Sequence, residues 1–264
     1  MQRSEIRIRR TKFTDLLDAF KLVIGTANHL RKRSGMDSLH FRIDGPYPLM
    51  VHLLKTDPEG SFVAVNNQNV IIGFTMSQMR DGEWYLAYLF VNPAYQSTGI
   101  GQKLLAKAMK YGTDCGCSRR ALATFSYNPN AVALYSKYGM SPQRPIVAMI
   151  KSDQSSNMRS LKPSSKRLSA EVIKDHRYVN RLTSFDHRAR GIARPEEHFF
   201  WSGQISRDVL VFHEGTRLAG YSVVSQTGSI GPIAAARAEY LQTIMIMSLE
   251  HSLINDYSKQ FIFL

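Results

Sequence analysis

Apolar and polar positions alternate over Glu5–Arg10, a period of two that predicts an opening strand. The period then lengthens. Leu16, Leu17, Phe20, Val23, Ile24, Ala27 and Leu30 share one helical face, with Thr14 placed to cap it. Gly35–Pro48 is dense in turn formers and reads as a loop, followed by a short helix around Leu49–Leu54. Strands are expected at Ser61–Val65 and Val70–Gln78, joined by Asn66–Asn69. Asp81-Gly82 turns tightly into a further strand over Trp84–Val91, which Asn92-Pro93 stops. A helix over Gly99–Tyr111 carries Ile100, Leu104, Leu105 and Ala108 on one face. A strand at Arg120–Phe125, a helix at Asn130–Tyr138 and a last strand at Pro145–Ile150 complete a mixed α/β domain over residues 1–150.

Residues 151–168 are rich in Ser and Lys and poor in apolar side chains, which reads as a linker. The remainder, 169–264, repeats the first half's pattern. Shifted by 147 residues, Ser61–Ser77 lies on Asp208–Val224 without a gap, and Gly73-Phe74 meets Gly220-Tyr221. The second copy is expected to be incomplete at its C-terminal end, because only the strand-like Phe261-Ile262-Phe263-Leu264 follows its long apolar helix.

Composition narrows the class. With 264 residues, 44% hydrophobic and 21% charged, the chain is not a disordered, collagenous or coiled-coil polymer. Two close cysteines, Cys115 and Cys117, make no disulfide framework, and the charged N-terminal residues do not form a signal peptide. No apolar run is long enough to span a bilayer. The expectation is a cytoplasmic protein. The net charge of +13 raises the question of polyanions. Residues 34–90 are net acidic, whereas 91–150 hold seven Lys/Arg against one Asp/Glu. No zinc-finger spacing or aromatic-basic RNA signature accompanies the charge, so specific nucleic-acid recognition is not expected. A polyanionic small ligand also explains the basic 91–150 block.

The chemistry concentrates in Leu89-Phe90-Val91-Asn92-Pro93-Ala94-Tyr95-Gln96-Ser97-Thr98-Gly99-Ile100-Gly101. A strand ends, a loop turns, and two glycines open an amphipathic helix. The first N–H groups of a helix lack partners and sit at its positive end, so a phosphate can bind there. Glycines let the backbone approach it. The stretch lacks the Lys-Ser/Thr of a P-loop and the three glycines of a dinucleotide fold.

Gln96-Ser97-Thr98-Gly99-Ile100-Gly101 resembles the Gln/Arg-x-x-Gly-x-Gly/Ala pyrophosphate loop of the GNAT acetyltransferases, and Asn128–Met140 resembles that family's next motif. The resemblance covers roughly residues 5–150, with a degenerate second copy over roughly 169–264. It implies two GNAT-like units in tandem, with acetyl-CoA as co-substrate and a primary amine as acceptor. It also implies that Leu89, Phe90 and Val91 pair with the pantetheine arm, that Gln96, Ser97, Thr98, Gly99, Ile100 and Gly101 hold the pyrophosphate, and that Asn128 contacts the cofactor. Tyr135 matches the tyrosine proposed to protonate the leaving thiolate, although it also shares a packing face with Ala131, Leu134 and Tyr138.

The base is open. Tyr85 stands where some relatives carry a glutamate; Glu83, two residues earlier, is the candidate, and His40 or a water relay are alternatives. No metal site is expected. The second copy has Ala234-Ala235-Ala236-Arg237 at the loop position, so it should not bind the cofactor and is expected instead to buttress the first copy and close its acceptor pocket. The reading is an acetyl-CoA-dependent N-acetyltransferase acting by direct attack on an amine, with a cationic one suggested by the acidic 34–90 segment. The alternatives are a non-catalytic acyl-CoA-binding regulatory module, or an enzyme acting on nucleic-acid-associated substrates.

Overall fold

The computed structural model of the protein describes residues 6–40, 43, 45–143, 148–150, 168–257 and 261–263. The chain divides into two compact units, 1–143 and 144–264.

In the first unit, β1 (Arg7–Arg10) leads through a short turn to α1 (Leu16–Arg33) and α2 (Pro48–Thr56). The helix start differs from the expectation. Asp15, not Thr14, holds the entry: its carboxylate accepts from Lys12 N at 2.7 Å and from both terminal nitrogens of Arg9 at 2.6 and 2.9 Å. Burial alone would raise this carboxyl. The Arg9 and Lys12 hydrogen bonds outweigh burial and hold it below its ordinary value.

The sheet continues with β2 (Ser61–Val65), β3 (Ile71–Arg80) and β4 (Glu83–Val91). Asn69 and the Asp81-Gly82 pair take the left-handed conformations that the two tight turns require. Then come α3 (Ile100–Asp114), β5 (Arg119–Leu122) and α4 (Pro129–Lys137). The order is β1-β2-β3-β4-β5, antiparallel except for β4 with β5. One face packs α1 and α2 over Val63, Val65, Phe74 and Met76. The other packs α3 over Ala64, Ile72 and Val91, and α3 with α4 over Trp84 and Leu86.

The second unit opens with β6 (Ala148–Ile150) and β7 (Leu168–Ile173), followed by α5 (Val179–Arg190) and α6 (Pro195–Ser202). After β8 (Arg207–Glu214), β9 (Arg217–Ser225) and β10 (Ser229–Ala235) come α7 (Ala238–Ile254) and β11 (Phe261–Phe263). Its sheet runs β6-β11-β10-β9-β8-β7, so β7 to β11 repeat the order of β1 to β5. The strand expected to close the first sheet belongs here: Ala148–Ile150 pairs antiparallel with β11, whose outer edge it satisfies. The expected linker lies outside the described residues except for Leu168, which begins β7.

The matched glycines have one physical role. A Cβ on Gly73 would come within 2.9 Å of Leu104 on α3, and one on Gly220 would meet Ile244 on α7 and the Ala234 carbonyl. Each lets a helix lie close to its sheet. The aromatic after each, Phe74 or Tyr221, is fully buried.

Candidate active site

The parallel pairing of β4 with β5 covers only Glu83–Leu86 against Arg119–Leu122. From Ala87 onward β4 keeps its partner β3 on one side and has none on the other among the described residues. A bulge at Ala87 of β4, opposite the Met76–Ser77 step of β3, marks the same point. Which groups face the opening follows from strand alternation. Asn92 N donates to Ile72 O at 2.9 Å, and Tyr88 O accepts from Thr75 Oγ1 at 2.9 Å, so the even-numbered residues face β3. The N–H groups of Leu89 and Val91 therefore point into the opening.

Beyond β4, Asn92 accepts from Ala94 N at 3.0 Å and starts a short turn over Pro93–Tyr95. Gln96 folds back, its Nε2 donating to Val91 O at 3.0 Å. Its side chain fixes the loop to the strand end rather than reaching outward. Thr98 does likewise through Tyr95 O at 2.7 Å. Ser97 (φ 63°) and Gly99 (φ 86°) are left-handed, which curls successive N–H groups into one concave turn. Lys103 is the first residue whose N–H enters the helix ladder, bonding Gly99 O at 3.1 Å. Ser97 to Gln102 thus present N–H groups with no hydrogen-bond partner among the described residues, and no acidic side chain sits in the first turn of α3. A Cβ on Gly99 would touch nothing within 4 Å, so the cradle is open. Gly101 faces Leu134 and Val91 at ordinary contact distance. The donor set suits an anion of pyrophosphate size.

Asn128 caps α4, its Oδ1 accepting from Ala131 N at 3.3 Å. On the same helix Tyr135 is 9% exposed and packs with Trp84, Leu86, Leu105 and Ala108. Burial pushes its phenol up to about 12, and its hydroxyl has no hydrogen-bond partner among the described residues. Gly101 of the turn thus lies against Val91 of β4 and Leu134 of α4, and Tyr135 on the same helix packs in a cluster that includes Leu86 and Leu89.

Glu83 is not part of that grouping. It lies at the closed end of β4, six residues or about 20 Å of extended strand from Leu89, and accepts from Arg119 Nε at 2.6 Å. That ion pair is set by cross-strand register, which local sequence does not announce. His40 is exposed in the loop after α1.

Sequence reasoning missed a buried carboxylate in each unit. Asp57 accepts from Arg80 Nη1 at 2.8 Å, Met79 N at 2.9 Å and Tyr111 hydroxyl at 2.8 Å. Asp186 accepts from Arg194, His198 Nε2 at 3.0 Å and Tyr221 hydroxyl at 2.7 Å. Burial opposes ionisation of Asp186, yet these donors bring it down to about 2. Both are satisfied structural networks whose partners lie far along the chain, and neither carboxylate stands out from its polar sequence neighbours. Among the described residues no three His, Cys, Asp or Glu side chains converge on a metal site, and no helix is long and apolar enough to cross a membrane.

Comparison with known proteins reaches the same region. Residues 29–140 match the acetyltransferase (GNAT) family. These residues are similar to a GNAT domain. A thialysine N-epsilon-acetyltransferase of Bos taurus is 35% identical over 66 residues, 25% of this chain and 39% of that protein. One from Sus scrofa is 40% identical over 55 residues, 21% of this chain and 32% of that protein. The chain thus spans less than half the length of these relatives. Among solved structures, a putative acetyltransferase of Pyrococcus horikoshii superposes with TM-score 0.70 at 16% identity, over 98% of this chain and 79% of that one. A tandem GNAT protein from the clavulanic acid biosynthesis pathway gives TM-score 0.60 at 15% identity, over 98% of this chain and 90% of that one. These likenesses extend the two-unit architecture over nearly the whole chain, beyond residues 29–140.

Proposed function

We propose that the protein is an acetyl-CoA-dependent N-acetyltransferase whose first unit transfers an acetyl group to a primary amine by direct attack. The observation that carries this reading is the coincidence of an unpaired β4 edge with the uncapped N–H cradle of Ser97–Gln102. Bound acetyl-CoA would supply the activated thioester. The residues suited to hold its pyrophosphate are the N–H donors of the glycine turn, with Leu89 and Val91 offering strand-like hydrogen bonds along the opening.

The same strand N–H groups would polarise the thioester carbonyl as charge builds on its oxygen. Tyr135 keeps its proton at neutral pH, because burial holds its phenol near 12. Full transfer to a thiolate of ordinary affinity, near 8.5, is uphill by about 5 kcal/mol, so its proposed role is to donate a hydrogen bond as sulfur departs. The acceptor class we favour is a cationic amine, supported by the net acidic 34–90 segment and by the thialysine acetyltransferases among the relatives.

The position of Glu83, tied to Arg119 away from the opening, favours a second reading: a module that binds acyl-CoA without turning it over. A free-thiol release assay with acetyl-CoA over lysine, thialysine, polyamines, aminoglycosides and peptide N-termini separates the two. Release above the amine-free rate supports the enzyme. Tight acetyl-CoA binding with no release for any amine overturns it and supports the module.

A further inference from the structure

A cleft of about 870 Å³ in the second unit lies between one face of α5 and the ends of β9 and β10. Its walls carry Arg181, Arg188 and Arg217, with Ser184 and Asn180 beside them, and Phe185 and Leu218 among its apolar contacts. Arg181, Ser184, Phe185 and Arg188 follow one another at i, i+3, i+4 and i+7, so the helix itself puts them on one side. The cleft is remote in sequence from the glycine turn and uses none of its residues.

Three guanidinium groups around one space repel each other unless acids answer them, and here acids do not. Among the described residues Arg188 and Arg217 have no ion pair or hydrogen bond, and Arg181 has only the face of the Tyr178 ring, 5.1 Å from its centroid. The acids on neighbouring elements are engaged elsewhere. Glu214, opposite Arg217 in the β8–β9 hairpin, accepts from the Tyr240 hydroxyl at 2.7 Å, and Asp186 turns inward to Arg194 and His198. Glu171 pairs with Arg177. An arginine fork is shaped to receive a carboxylate or phosphate in two parallel hydrogen bonds.

Spacing refines the ligand. Arg181 and Arg188 stand seven residues apart on α5, about 10 Å along the axis, with the Phe185 position between them. That spacing leaves room for one acidic group at each end. We propose that this cleft binds a small organic dianion, two acidic groups joined by an apolar spacer of about 10 Å, with Arg181 and Arg188 at the two ends and Arg217 facing them. The volume suits such a molecule, since ligand clefts run to about 300–1,000 Å³.

The test is calorimetric titration of the full chain with three probes: suberate, octane-1,8-diyl bisphosphate and octanoate. Binding of suberate or the bisphosphate at one per chain is expected, with octanoate at least about tenfold weaker; whichever dianion is tighter tells carboxylate from phosphate recognition. Arg188→Gln, an exposed position, is expected to weaken the dianion at least about tenfold with an unchanged thermal midpoint, and Arg217→Gln on the opposite wall to do the same. Acetyl-CoA binding should be unaltered in both variants. Absence of dianion binding up to about 10 mM, octanoate binding equally well, or undiminished affinity in both variants would overturn the proposal. So would a 20-base-pair DNA duplex that displaces suberate with a steep salt dependence, which would make the cleft a phosphate-backbone surface.

Discussion

The two units reach their long helix by different routes. In both, the fourth strand opens partway along: β4 leaves β5 after Leu86, and β10 pairs with β11 only at Ser229–Ile230 among the described residues. Register aligns Val91 opposite Gly73 with Ala235 opposite Gly220, so the open edges correspond. The difference comes next. Residues 92–99 separate β4 from α3, whereas Ala236 and Arg237 alone separate β10 from α7. The expectation that bulkier side chains replace the glycines is thereby corrected: Ala234 and Ala235 are still strand, and the loop itself is missing. Ala236 N bonds back to Ala219 O at 2.8 Å, and Glu239 places an acid in the first turn of α7, paired with Arg237 at 2.9 Å. An opened strand is thus a property of the fold, while an anion cradle needs the extra residues that let the backbone curl.

If the comparison is right, function and stability should separate between the units. Tyr135→Phe removes one hydroxyl from the first unit and leaves its ring packing, so turnover should fall about 10²- to 10³-fold, as for loss of one hydrogen-bond donor to developing charge, with acetyl-CoA affinity kept, read by thiol release and calorimetry. Wild-type turnover would make Tyr135 a packing residue. Asp186→Ala strips the fully buried carboxylate from half-buried Arg194 in the second unit. Urea unfolding should show a loss of about 3–5 kcal/mol. In wild type the carboxyl sits near 2, below its free value of 3.8, so its share of stability is full above about pH 4 and lost as pH falls towards 2. That acid limb should vanish in the variant; its persistence would assign the limb to other groups.

Smaller effects sharpen the contrast between the junctions. Gly101→Glu puts bulk and negative charge at the cradle, and acetyl-CoA affinity should drop at least about tenfold, or 1.4 kcal/mol. Unchanged affinity in the folded variant would move the pyrophosphate site elsewhere. Titration of wild type should give one acetyl-CoA per chain, because β10–α7 offers no curl of free N–H groups; a value near two would remove the distinction. Last, the ratio of wild-type to Tyr135→Phe turnover should stay constant from about pH 7 to pH 10, since the phenol keeps its proton until about 12. A ratio that collapses by pH 9 would show a phenol made acidic by its surroundings.

What could be read from the sequence was local. Turn chemistry at Asn66–Asn69 and Asp81-Gly82, the stripe on α3 and the glycine turn all depend on residues a few positions apart, and the structure keeps each. What escaped depends on distant partners. Whether Glu83 faces an acceptor or Arg119 is decided 36 residues away, and the home of Ala148–Ile150 is decided by an edge more than a hundred residues on. The role of Gln96 escaped for a subtler reason: its motif marks where it stands, while its bond to Val91 O shows it acting on the protein's own backbone.

Gly73 and Gly220 occupy corresponding positions in the two sheets, each at a crossing where a helix nearly touches its sheet and an added side chain would meet an obstacle. At Gly73 the obstacle is the flexible end of Leu104, which could swing aside, while at Gly220 it includes the Ala234 carbonyl of the neighbouring strand, which could not. The unit without the cradle is therefore the one whose helix crossing tolerates a side chain least, so its frame is fixed at the point where the other unit keeps some slack.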